Sequence, residues 1–174
     1  EAPPKVPAAF ADSAYVFLAN SHPAVQLDLL KQLPKRRLAV ADTMDLWINT
    51  AREPLVALMK QVDGLVLNYD EAELFTGKKN PVTAARHMLA DHKNGAKGLK
   101  FVVVKKGEHG CIIVHREGIA ALPAYPAEKV IDPTGAGDSF AGGMMGYLAA
   151  KGAKSKAGKP WEFKTLQTAL AHGT

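Results

Sequence analysis

The sequence predicts an α/β fold, a doubly wound and mainly parallel sheet with helices on both faces and an antiparallel hairpin near the C-terminal part. Three observations carry this expectation. Short apolar runs alternate with helical segments from Tyr15 to Val104, the pattern of βαβ units whose strands are covered on both sides. Two further apolar runs then follow one another across a short polar turn, which reads as a hairpin. A Gly-rich turn finally opens a long helix at Ala136.

Each element has its own warrant. Tyr15-Val16-Phe17-Leu18 reads as a short buried strand after a Pro-rich start. Pro23 to Leu33 reads as a helix with Val25, Leu29, Leu30 and Leu33 on one side. Arg37 to Asp42 is a second strand and Pro54 to Gln61 a second helix. Gly64 to Leu67 is a third strand, feeding a short helix that ends at Gly77. A longer helix begins at Asn80-Pro81, an N-cap followed by proline at the first helical position. Phe101 to Val104 is a fourth strand. Cys111 to His115 and Ile119 to Pro123 form the hairpin around Arg116-Glu117-Gly118. A helix from Ala136 to Ala150, a Lys/Gly/Ala linker from Lys151 to Lys159 and a last helix from Trp161 complete the chain.

Composition narrows the function. The chain has 174 residues, enough for one domain, with 47% hydrophobic and 22% charged residues, as in soluble globular proteins. The formal charge is +5, but the basic residues are scattered and no aromatic stripe accompanies them. That argues against nucleic acid and for a solvated surface that tolerates an anionic ligand. The single cysteine, Cys111, excludes an internal disulfide, and no CxxC or HExxH spacing suggests zinc. No apolar run approaches the roughly 18 residues of a membrane span. The N-terminal residues lack the layout of a secretory signal, so a cytoplasmic location is expected.

The segment Asp132-Pro133-Thr134-Gly135-Ala136-Gly137-Asp138 carries most of the chemistry. It places small residues where an extended segment turns into a helix, so the first free N–H groups and the positive dipole end converge on one point. A phosphate suits that point, because glycine and alanine let it approach the backbone. An acid beside it, Asp138, then needs a cation or a proton, and proton acceptance is what transfer to a hydroxyl requires. Gly142, Gly143 and Gly146 further suggest close packing of this helix on the sheet. Asn68-Tyr69-Asp70-Glu71 has the form of a capping box, with Asn68 as the N-cap. Asp42, Met44, Asp45 and Trp47 follow the second strand as loop residues and should face the same crevice, at the carboxyl ends of the strands.

DPTGAGDSFAGGMM resembles the second signature of the PfkB-type carbohydrate kinases, the ribokinase-like family, which phosphorylates sugars, nucleosides and related alcohols with ATP and Mg²⁺. The resemblance implies Asp138 as catalytic base, with Gly135, Ala136 and Gly137 as the anion hole. It implies that Asn68 and Glu71 match an N-x-x-E motif that holds Mg²⁺ largely through waters, in keeping with that ion's preference for hard oxygens and retained water. A family T-x-G-x-x-G lining the nucleotide is matched at Gly107 and Gly110, whereas Lys105 stands where threonine is usual and offers an ammonium to the phosphates. Asp132 and Thr134 match positions that in some branches help bind K⁺; otherwise they only shape the turn.

The expected function is therefore ATP-dependent phosphorylation of a hydroxyl on a small-molecule alcohol. The competing reading is a nucleotide-binding module without catalysis. Ribokinase-like chains are longer, with an N-terminal acceptor-binding and lid segment not recognised here, so residues 1–174 read as a single partial domain. The expectation is that they lack catalysis alone, that the chain stops at Thr174 inside a helix before the adenine pocket is complete, and that an unpaired sheet edge favours association, in the simplest case a homodimer.

Overall fold

The computed structural model describes residues 4–90, 98–154, 159 and 162–174. Among these, six strands form one sheet in sequential order: β1 (Tyr15–Leu18), β2 (Leu38–Asp42), β3 (Gly64–Asn68), β4 (Phe101–Lys105), β5 (Cys111–His115) and β6 (Gly118–Leu122). The first four strands are parallel and the last two are antiparallel. The expected architecture, a mainly parallel sheet ending in a hairpin, is the observed one.

Alternation along the strands builds two cores. Ala39, Ala41, Leu65, Leu67, Val102 and Val104 face one side, where they meet α1 (Pro23–Lys31), α3 (Arg52–Met59), α4 (Tyr69–Thr76) and α5 (Pro81–Ala90). Leu38, Val40, Val66, Phe101 and Val103 face the other, under α6 (Ala136–Lys154) and α7 (Phe163–Ala171). Strands buried on both faces explain why they appear in sequence as continuous apolar runs. Asn80 caps α5 as predicted, its Oδ1 accepting from the N–H groups of Val82 and Thr83 at 3.0 Å.

Several local expectations are corrected. Asp45–Thr50 is a short helix, α2, and not a loop. Asp45 Oδ1 accepts from the Leu46 N–H at 2.8 Å, and Ile48 alone is buried, so six residues gave no periodicity to read. The following helix starts at Arg52, two residues before Pro54. The hairpin turn is the pair Arg116-Glu117, because Gly118 already pairs with His115. Helix α6 runs through Lys151 to Lys154, part of the expected linker. Residues 155–158 and Trp161 lie outside the described residues, and α7 ends at Ala171, with a turn through His172 and Gly173. Of Gly142, Gly143 and Gly146, the three glycines expected to pack on the sheet, only Gly143 makes a close approach, and it is to the His172 carbonyl beyond α7, not to the sheet. Gly142 and Gly146 face open space.

Candidate active site

The carboxyl ends of three parallel strands present three polar side chains: Asp42 from β2, Asn68 from β3 and Lys105 from β4. Asn68 and Lys105 are register partners. Across the end of β3, Lys105 Nζ lies 3.9 Å from Asp42 Oδ2. Asp42 is buried, and its Oδ1 accepts from the Thr43 N–H at 2.8 Å. Burial pushes its carboxyl above the usual range; the Lys105 ammonium opposes that, and the charge of Asp138 adds to it.

Beyond β3 the predicted capping box is formed in full. Asn68 Oδ1 accepts from the Glu71 N–H at 2.8 Å, and Glu71 Oε2 accepts from the Asn68 N–H at 2.7 Å. Half-burial raises the Glu71 carboxyl, the bond from Asn68 lowers it, and the Asp42 charge raises it. The Asp42 carboxylate thus raises Glu71, and Asp138 raises Asp42, beside one ammonium, a surrounding that a further cation would relieve. Among the described residues the other oxygen of Glu71 accepts no hydrogen bond, and a cation reached through water fits this donor set. Among the described residues no cluster of three or more His, Cys, Asp or Glu offers a direct metal cage.

The Gly-rich turn meets this edge from the other face. Gly135 has φ of +78°, a left-handed conformation suited to glycine, and α6 begins one residue later. Ser139 N–H donates to the Gly135 carbonyl at 2.8 Å and Ala136 N–H to Pro133 at 3.1 Å. The Ala136 amide is therefore engaged, unlike the expected trio of free donors. Those of Gly135 and Gly137 find no backbone acceptor among the described residues. Gly137 abuts Lys105: a methyl group added there would stand 2.7 Å from Nζ. Asp138 is exposed in the first turn of α6. Asp132 and Thr134 lie in the exposed turn before it, where Asp132 Oδ1 accepts from the Thr134 N–H at 2.8 Å. That bond holds the Asp132 carboxyl below its usual range.

Between these parts lies a cavity of about 550 Å³, in the range of small-molecule sites. Its wall unites Asn68, Lys105, Gly107, Gly110, Ala136 and Gly137, six of the residues singled out in the sequence. Gly110 (φ +79°) also fixes the hairpin, since a Cβ there would collide with the Leu122 carbonyl. Glu71, Asp132, Thr134, Gly135 and Asp138 stand around the cavity and do not line it. Lining residues that sequence reasoning missed include Tyr125, Phe140, Gly173 and Thr174. The last two bring the turn after α7 to the cavity. Cys111 lines the cavity too, and burial pushes its thiol up to about 11, so it acts as apolar wall.

A mainly parallel sheet with helices on both faces and an antiparallel hairpin at its end is the ribokinase-like fold. The chain belongs to the pfkB family of carbohydrate kinases, whose family model matches residues 5–171. It is 33% identical over 147 residues to a cytidine kinase of Thermococcus kodakarensis, covering 82% of this chain and 50% of that protein. Over 65 residues it is 43% identical to the 2-dehydro-3-deoxygluconokinase of Escherichia coli K12, covering 36% of this chain and 21% of that protein. Its fold matches the adenosine kinase of Trypanosoma brucei brucei (TM-score 0.74, 20% identity, 94% of this chain and 50% of that one). It also matches a fructokinase double mutant of Vibrio cholerae in a fructose, ADP and potassium ion bound form (TM-score 0.65, 20% identity, 90% and 51%). The chain thus spans about half the length of the cytidine kinase and of these two solved structures.

Proposed function

We propose that this chain carries the nucleotide site and catalytic base of a kinase that transfers the γ-phosphoryl group of ATP to a hydroxyl of a sugar, nucleoside or related small molecule. The observation behind this reading is the convergence of Lys105, Gly107 and the first turn of α6 on one cavity, with Asp138 exposed beside it. Lys105 supplies positive charge, and the amides of Gly135 and Gly137 supply donors to the transferring phosphoryl oxygens. The Ala136 amide joins them only by releasing Pro133. Asp138 accepts the proton of the acceptor hydroxyl as its oxygen bonds to phosphorus and the bond to the β-phosphate breaks, leaving ADP.

Mg²⁺ would be held through water by Asn68 and Glu71 and would supply charge neutralisation to the nucleotide phosphates. Glu71 remains oriented by its bond to Asn68 throughout. K⁺ on Asp132 and Thr134 belongs to the same proposal, because carboxylate and hydroxyl are hard oxygen donors. So does a cytoplasmic location; among the described residues no helix is long and apolar enough to cross a membrane. A homodimer would cover the outer edge of β1, which has one strand partner among the described residues.

The long match to a cytidine kinase makes nucleosides the first acceptors to test. A coupled assay of ADP release should be run on the intact protein that carries this chain, with cytidine, adenosine, ribose, fructose and 2-dehydro-3-deoxygluconate, each against a control without acceptor. ADP release that rises with one of these alcohols supports the kinase. Nucleotide binding with acceptor-independent ADP levels would favour a non-catalytic module.

A further inference from the structure

We propose that Asp42 is a positioning residue for Lys105, its carboxylate fixing the ammonium beside Gly137 where the terminal phosphates of a bound nucleotide arrive. The inference rests on the nucleotide-site reading above and adds a second residue on which the place of the cation depends. Lys105 projects from the last position of β4, and its four-carbon stem is free to sample much of the rim. Two contacts restrict it. Nζ lies 3.9 Å from Asp42 Oδ2, and close enough to Gly137 that a Cβ there would come within 2.7 Å. The ammonium is thereby held between the end of β2 and the first turn of α6.

Asp42 is itself immobilised, as a positioning residue must be. Its side chain is 9% exposed. Oδ1 accepts from the Thr43 N–H at 2.8 Å, and its backbone carbonyl accepts from the buried Gln26 Nε2 at 3.1 Å. That leaves Oδ2, the oxygen that meets Lys105. A separation at the outer limit of an ion pair leaves the ammonium N–H groups available to an anion. Asp138 and Glu71 also surround this point, but among the described residues Asp42 is the carboxylate within ion-pair distance of Lys105. The phosphoryl-transfer scheme gives Asp42 no other task.

The alternative is a brake, in which Asp42 competes with phosphate for Lys105, and the two roles predict opposite signs. ADP and adenosine are titrated calorimetrically into the 174-residue chain and its Asp42→Asn, Lys105→Met and doubly substituted variants. Asparagine retains the acceptor for the Thr43 N–H, so the test removes charge and little else. Positioning predicts ADP binding weakened about tenfold by Asp42→Asn, with adenosine changed by less than about twofold. It also predicts no further loss beyond about twofold when Asp42→Asn is added to Lys105→Met, the signature of coupled residues. Tighter ADP binding, additive losses, or equal losses for ADP and adenosine would each overturn the proposal. If the parent chain binds no ADP, the nucleotide-site reading fails and this inference with it; normal binding by the parent and by Asp42→Asn overturns the inference alone. Should Asp42→Asn not fold, the side-chain ammonium resonance of Lys105 in the parent decides. A resolved, slowly exchanging signal supports positioning, and one averaged like those of exposed lysines refutes it.

Discussion

Asn68 and Glu71 exchange two hydrogen bonds, side chain to backbone in each direction, and so fix the start of α4 at the carboxyl end of β3. The same pair is the proposed seat of Mg²⁺, and the two roles are separable. Loss of an N-cap side chain costs about 0.5–2 kcal/mol. Asn68→Ala should therefore lower the melting temperature and also raise the Mg²⁺ concentration needed for half-maximal rate, with the KM for the acceptor little changed. Glu71→Gln should do the same with a smaller stability loss. Altered melting with untouched Mg²⁺ dependence would leave the pair as a cap and nothing more.

Asp138→Asn removes the proposed proton acceptor and one negative charge near the phosphates. We expect kcat to fall by about 10²–10⁴-fold, as for loss of a general base, with ADP affinity held or improved. Turnover within about threefold of the parent enzyme would remove Asp138 from the mechanism.

Lys105→Met should couple stability to pH through Asp42. Burial already raises the Asp42 carboxyl from its ordinary 3.8, and Lys105 is the main influence opposing it. Without the ammonium, the folded protein would hold that proton more tightly still, while the unfolded chain would not. The stabilising contribution is then complete below the unfolded value and lost as pH rises through the raised folded one. Urea denaturation of the variant, compared with the parent from pH 4 upward, should show a deficit that grows with pH and levels off once Asp42 is ionised. A pH-independent deficit would mean that Lys105 does not neutralise Asp42.

Gly110 and Gly107 both have positive φ, but only Gly110 lies against backbone, at the Leu122 carbonyl. Gly107→Ala should cost about 1–2 kcal/mol from backbone conformation alone. Gly110→Ala should cost more, because the hairpin must also move. Equal losses in thermal unfolding would contradict the close approach seen there.

The sequence showed the sheet well because its strands are buried on both faces and stand out as unbroken apolar runs, Phe101 to Val104 above all. The Gly-rich turn and the Asn68–Glu71 box were legible because each is a local device whose residues lie within a few positions of one another. Helix α2 was not, since six residues with one buried side chain, Ile48, leave no period to detect. The contact of Asp42 with Lys105 was also hidden: it joins residues on β2 and β4 across β3, and only the sheet order brings them together. Gly143 was legible as a close approach, but its neighbour was not, because no local pattern says which surface a helix will meet.

The central claim, that the edge formed by β3, β4 and α6 is a nucleotide site, is tested most directly by titrating ADP with Mg²⁺ into the ¹⁵N-labelled chain and following its backbone amides. Saturable shifts concentrated at Lys105, Gly107, Gly110 and Gly137, with α1 and α3 unmoved, are the predicted result. No saturable shift at millimolar ADP, or shifts centred away from that edge, would contradict it.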